Sequence, residues 1–266
     1  MKPEVSVIMS VYDPAKPRYF KDAVRSIIDQ SFTDWEMIIC DDGSDKRFAG
    51  LFETVAASDD RIRLIKNSSN RGLGYSLNKC IRYSSGDFLA RMDADDVCHP
   101  ERLKEQIRFL KSHEDADWCG TDAFLINDGG TWGVRHMPIA PEKKDFLEFS
   151  PFMHSSVIFK RRVFEENKGY RHLKRAEDYE LFMRLYSKGC KGYNIPKKLY
   201  GYREDENSYK RRTFSCALEE CRVRKSGFKR LDMLSPGNYR YVFKPVLMSM
   251  IPGKVQMFLK KSLRNG

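Results

Sequence analysis

Between residues 5 and 112 the sequence alternates short apolar runs with amphipathic stretches, and this alternation limits the possible folds more than any other feature. Val5-Ser-Val-Ile-Met-Ser-Val11, Trp35-Glu-Met-Ile-Ile-Cys40, Ile62-Arg-Leu-Ile65 and Phe88-Leu-Ala-Arg-Met92 read as buried strands. Residues 18–31, 46–57 and 74–84 read as helices; in the first, Phe20, Ala23, Val24, Ile27 and Ile28 share one face. Pro100 suits the first turn of a fourth helix, running to about Lys111. A β-α-β-α-β-α-β order predicts a parallel sheet with crossover helices. Ligands sit at the carboxyl ends of such strands. Beyond residue 112 the pattern loosens. Trp118–Ile126, Ser155–Phe159 and Leu199–Arg203 read as strands, and Ala176–Ser187 as a helix.

Charge divides the chain in two. Residues 1–206 carry 34 basic and 34 acidic side chains, whereas residues 207–266 carry 14 and 3, which is the whole net charge of +11. A neutral body with a basic tail excludes a uniformly basic nucleic-acid coat protein. A hydrophobic content of 41% excludes a wholly disordered chain. No run of about 18 apolar residues is present, so no segment is expected to span a membrane. The first residues lead straight into a strand pattern, without the basic region and apolar core of a secretory signal. The seven cysteines include no C-x-x-C pair, so reduced thiols in the cytosol are expected.

Acidic clusters fall where ligands are expected. Asp93-Ala94-Asp95-Asp96 follows a buried strand, and three carboxylates in four residues repel unless a counter-charge joins them. Hard oxygen ligands suit Mg²⁺ or Mn²⁺ bridging to phosphates; a solvated acidic turn is the plainer alternative. Asp41-Asp42-Gly43-Ser44 ends another strand, either as a capped turn or as an acceptor for a base N–H or a ribose hydroxyl. Glu177-Asp178 opens an amphipathic helix. These acids either complement its dipole or supply a general base. His154, before an apolar run, is an acceptor-side candidate or a structural residue. Neither G-x-x-x-x-G-K-[ST] nor G-x-G-x-x-G occurs, which removes the main support for P-loop and dinucleotide-binding readings.

Taken in order, Val5–Pro14, Trp35–Asp45, Asn70-Arg71-Gly72-Leu73-Gly74 with Leu77-Asn78, Gly86–Arg102 and Ala176–Arg184 resemble glycosyltransferase family two. The resemblance implies an α/β GT-A fold: a Rossmann-like, mainly parallel sheet flanked by helices, with a basic helical extension appended. Residues 1–206 would be the catalytic domain, with a nucleotide-sugar half (1–112) and an acceptor half (113–206); residues 207–266 would be the extension. It implies inverting transfer of a hexose or N-acetylhexosamine from a UDP-sugar with Mn²⁺ or Mg²⁺. By motif, Val11, Tyr12 and Asp13 would line the base pocket, with Asp42 bonded to the base and Arg71 near the nucleotide. Asp93 and Ala94 would lie by the donor, Asp95 would bind metal, and Asp96 would support or replace it. Arg203 would contact the pyrophosphate. Asp178 matches the family's base, with Glu177 beside it. Many relatives carry His two residues beyond that Arg; here Asp205 stands there, a substitute oxygen ligand or a sign that the loop works differently.

The tail interleaves Lys and Arg with Phe, Tyr, Leu and Met, and Pro245 and Pro252 break it into short pieces. Such a pattern suits the face of an anionic membrane, or else a packing arm with a solvated basic face. No nucleic-acid partner is expected, because no recognition motif is present. Together with the tail, the resemblance implies a cytoplasmic protein, peripheral on the inner face of the membrane, that acts on a saccharide or lipid-linked acceptor in bacterial surface-polysaccharide synthesis. The rivals are a sugar-phosphate nucleotidyltransferase and a non-catalytic binding module. Val11-Tyr-Asp-Pro14 is not the Gly-rich loop the first would need, and the acids at Asp95 and Asp178 count against the second.

Overall fold

The computed structural model describes residues 2–204 and 213–250. The first half holds β1 (Val5–Val11), α1 (Pro17–Ile28), β2 (Trp35–Asp41), α2 (Ala49–Ala56), β3 (Ile62–Lys66), α3 (Leu73–Tyr83), β4 (Phe88–Asp93), β5 (Val97–Cys98) and α4 (Arg102–Ser112). The second holds β6 (Trp118–Asn127), β7 (Gly130–Arg135), β8 (Ile158–Lys160), α5 (Arg162–Asn167), α6 (Glu177–Ser187), β9 (Gly192–Arg203), α7 (Phe214–Arg230) and α8 (Tyr239–Ser249). One sheet runs β3-β2-β1-β4-β8-β6-β9-β5, and β7 pairs with β6. The four strands read from the alternation, β1 to β4, are mutually parallel, and β9 is parallel to β6. The other pairings, including both made by β8, are antiparallel.

β2 lies on one side of β1 and β4 on the other, so the chain reverses its winding at β1. A crevice opens at the carboxyl ends where such a reversal occurs. There Val11 ends β1, Tyr12 and Asp13 follow it, and Asp93 ends β4.

Alternation along β1 builds the two cores. Val5, Val7, Met9 and Val11 face α1 and α4, whereas Ile8 faces α3 and α6 with Leu89, Trp118 and Phe182. Val223, Phe228 and Leu231, in and just after α7, and Val242 of α8 complete that second core, so these helices pack on the body.

Several element limits differ from the sequence expectation. α4 starts at Arg102 rather than Pro100, because the Gln30 side chain accepts the Leu103 N–H (3.0 Å) and the Pro100 carbonyl accepts from Ser31 (2.9 Å). The 46–57 helix opens as a 3-10 turn, Lys46–Phe48, capped by Asp45. His154–Ser156 also form a 3-10 turn, because Ser156 bonds its hydroxyl to Met153 O, so β8 begins at Ile158. β9 begins at Gly192 rather than Leu199; the backbone of Gly192 lies against Trp118 and leaves no room for a side chain.

A Cβ at Gly192 would stand 2.2 Å from the Trp118 indole, which is fully buried. Gly192→Ala should therefore cost about 1–3 kcal/mol through overpacking, a fall of several degrees in Tm by calorimetry. An unchanged Tm would show that the indole yields at no cost.

Candidate active site

The loops after β1 and β2 are tied together by short polar contacts. Asp41 accepts the Ser44 N–H (2.8 Å), Ser44 Oγ accepts the Asp13 N–H (3.0 Å), and Asp13 accepts the Asp45 N–H (2.9 Å). Gly43 has φ of +75°, and a Cβ there would meet the Ser69 backbone at 2.4 Å. Asp42 is buried and accepts from Asn67 Nδ2 (2.7 Å) and from the Arg71 and Gly72 N–H groups (both 2.9 Å). Its carboxylate thus orders the 67–72 loop, and a nucleotide base would be an additional partner. Arg71 stacks over Tyr75. Val11 is buried, while Tyr12 is half-exposed.

At the end of β4 lies an acidic floor. Asp93, Asp95 and Asp96 bring carboxylate oxygens within 4.8 Å of one another. Asp96 is 1% exposed; its Oδ1 accepts the Arg203 N–H (2.6 Å), and its Oδ2 is buried without a hydrogen-bond partner. Burial, then the charges of Asp93 and Asp95, push the Asp96 carboxyl well above the carboxylate range. An orphaned buried oxygen beside two further carboxylates is a donor set that fits a hard divalent cation. Arg203 caps the floor from β9: its Nε donates to Asp95 O (2.7 Å), and its guanidinium stacks on Tyr19. Asp205 lies outside the described residues.

Beneath this floor is Arg91, 2% exposed, whose guanidinium reaches Asp93 Oδ2 at 2.6 Å. It lines a cleft of about 930 Å³ together with Asp93, His154, Glu177, Asp178 and Tyr202. Such a volume suits a bound small molecule. Glu177 and Asp178 open α6 after Ala176, which adopts the left-handed conformation (φ 60°). Burial, then the Asp178 charge, push Glu177 up to about 7; burial also raises Asp178, whose Oδ1 accepts the Tyr179 N–H (2.8 Å). Glu180, one turn on, serves the fold instead, buried against Arg171, Arg184 and Arg230 at 3.0–3.1 Å. Geometry therefore separates one structural acid from two that face the cleft. His154 is buried with Nε2 2.7 Å from the Tyr170 hydroxyl. Burial and the Arg91 charge hold it well below the usual histidine range, so it is a neutral wall residue near pH 7.

The structure thus gathers Asp93, Glu177, Asp178 and His154 around one cleft; Val11, Tyr12, Asp13, Asp42 and Arg71 stand at the neighbouring strand-end loops. Sequence reasoning assigned no role to Arg91, although a lone charge inside Phe88-Leu-Ala-Arg-Met92 was a visible signal. It also treated residues beyond 206 as separate from the site. The structure places Thr213, Cys216, Ala217, Glu220 and Arg224 of the α7 region, with Lys244 and Met248 of α8, in the cleft wall.

Comparison with known proteins gives the fold and the family. The sequence profile of glycosyl transferase family 2 matches residues 6–184. A putative glycosyltransferase of Bacillus subtilis, EpsE, is 34% identical over 99% of this chain and 95% of its own length. The amylovoran biosynthesis glycosyltransferase AmsE of Erwinia amylovora is 26% identical over 98% and 99%. Among solved structures, S. aureus TarS 1-349 in complex with UDP-GlcNAc superposes with a TM-score of 0.64 at 20% identity, covering 90% of this chain and 75% of that one. The mannosyltransferase PcManGT of Pyrobaculum calidifontis, in complex with GDP-Man and Mn2+, gives 0.65 at 14% identity, covering 100% and 81%. The superpositions show a GT-A fold, and the chain belongs to glycosyltransferase family 2.

Proposed function

We propose that the protein is an inverting transferase that moves a hexose or N-acetylhexosamine from a UDP-sugar to a saccharide acceptor carried on a lipid, in the building of a bacterial capsule, O-antigen or exopolysaccharide. The observation that carries this reading is the single cleft that holds Asp93, at the end of β4, and the Glu177–Asp178 pair at the start of α6. A donor at the strand ends and an acceptor hydroxyl in the cleft would then meet between them. The relatives named for polysaccharide synthesis support the pathway, and the UDP-GlcNAc and GDP-Man complexes of the neighbours support a nucleotide-sugar donor. The charge of residues 207–266 supports a place on the inner face of the membrane.

In this reading Asp95 and Asp96 would hold a Mn²⁺ or Mg²⁺ ion, which would supply positive charge to offset that of the diphosphate. Val11, Tyr12, Asp13 and Asp42 seat the base, Arg71 lies beside the nucleotide, and Arg203 contacts the diphosphate. Asp178 takes the proton of the acceptor hydroxyl as that oxygen attacks the anomeric carbon from the face opposite the leaving group. Its raised pKa places it closer to working pH, where a general base is most effective. One displacement needs one base and no second catalytic carboxylate, unlike hydrolysis by a glycosidase pair.

Three outcomes are expected. Asp95→Ala should abolish Mn²⁺-dependent UDP binding in calorimetry; unchanged affinity would remove Asp95 from the metal. Asp178→Asn should retain donor binding but lose about 10²–10⁴-fold in transfer, and near-normal turnover would remove it as base. Glu177 bears on stability. Its folded pKa of about 7 lies above the free value of 4.5, so its favourable contribution is complete below about 4.5 and is lost as pH rises through 7. Glu177→Gln should therefore raise Tm by several degrees at pH 8, a gain of on the order of 2–3 kcal/mol. At pH 5 the gain should be small, and equal gains at both pH values would contradict the burial argument.

A further inference from the structure

Of the twelve large hydrophobic side chains that stand exposed among the described residues, six lie on α7, on α8 or directly after it. On α8 they are Tyr239, Phe243, Leu247 and Met250, the last directly after the helix. Spacings of four, four and three place them in one outward stripe. Val242, about a quarter-turn round the helix from the stripe, is buried. On α7 the exposed apolar pair is Phe214 and Leu218, both in its first two turns.

The two helices run antiparallel. Arg224 reaches the Tyr241 carbonyl (3.4 Å), and Thr213, Cys216 and Ala217 meet Lys244, Met248 and Ser249 at the cleft wall. The first turns of α7 therefore adjoin the end of α8, and Phe214, Leu218, Leu247 and Met250 flank the residues that form that wall. Phe149, also exposed, lines the same cleft.

Charge is distributed along the same hairpin. Arg222, Lys225 and Lys229 are exposed on α7, roughly 6–16 Å along the helix from Leu218. Arg240 is exposed beside Tyr239 at the start of α8. None of these four takes part in an ion pair among the described residues, whereas the inward cations are matched: Arg224 with Glu220, Arg230 with Glu180, and Lys244 with Glu148. Beyond Met250 the chain continues for 16 residues with Lys254, Lys260, Lys261 and Arg264 and no acid.

An apolar stripe flanked by unneutralised cations is complementary to acyl chains under anionic headgroups. We infer that the outward face of the α7–α8 hairpin docks on an anionic lipid bilayer and holds the mouth of the catalytic cleft against it. Leu247, Met250, Phe214 and Leu218 enter the acyl boundary, and Arg222, Lys225, Lys229 and Arg240 meet the headgroups. The hairpin is both anchor and cleft wall, so a lipid-borne acceptor reaches Asp178 without leaving the membrane. Only this last step rests on the transferase reading; the docking does not.

The test is co-sedimentation of the full chain with phosphatidylcholine vesicles, with and without about one-third phosphatidylglycerol, and with no nucleotide sugar present. Binding to the anionic vesicles, weakened by salt, is expected. Leu247→Glu with Met250→Glu should lose at least tenfold in vesicle affinity while keeping the circular dichroism spectrum and donor hydrolysis. Arg222→Ala with Lys225→Ala should lose about fivefold per charge, since each cation contributes about 1 kcal/mol at such a surface. Wild-type affinity in either variant, or equal affinity for neutral vesicles, would overturn the inference. So would light scattering that shows a dimer abolished by Leu247→Glu, because the stripe would then belong to a second copy.

Discussion

Arg91 lies wholly buried beneath Asp93, with Glu177, Asp178 and His154 around the same cleft, and the acidic site is organised about this guanidinium. Gathering carboxylates in a low-dielectric crevice is costly unless a cation shares it. Arg91 supplies that charge permanently from the middle of β4, because a guanidinium does not lose its proton when buried. It pairs with Asp93, opposes the rise that burial imposes on Glu177 and Asp178, and adds to the burial that lowers the His154 pKa. One side chain thus links the β4 end of the cleft to the α6 end.

The sheet makes this placement possible. Reversal at β1 opens the crevice, and β4, its neighbour, delivers both Arg91 and Asp93 on one face because residues two apart in a strand point the same way. β8 then brings the 154–156 turn alongside, and α6 adds another wall, with Glu177 and Asp178 in its first turn at the positive end of its dipole. At the remaining edge, Arg203 bonds Asp95 and Asp96 through its backbone and side chain, so β9 fixes the floor from above.

Much of this was legible in the sequence, for a definite reason. Alternation of apolar runs is a local signal, and it marked the four parallel strands; the acids at and directly after two of them marked their carboxyl ends. What escaped depends on contacts distant along the chain. Glu177, Asp178 and Glu180 look alike in sequence, and only Arg171, Arg184 and Arg230 mark Glu180 as structural. The two-residue β5 and the exposed β7 carry too few apolar residues to register as strands. α7 and α8 read as basic and amphipathic, but periodicity does not say what an apolar face will meet. One face of the hairpin meets the core and the cleft, and the other remains outward.

Catalysis as proposed depends on the nucleotide diphosphate and its cation lying on the acidic floor, across the cleft from Asp178. The direct measurement is an anomalous difference map from crystals of the chain grown with UDP and Mn²⁺. The expected result is a manganese peak in bonding contact with the carboxylates of Asp95 or Asp96 and with the diphosphate of a UDP whose base lies by Val11 and Asp13. Bound UDP with the manganese elsewhere, or with no manganese, would contradict it.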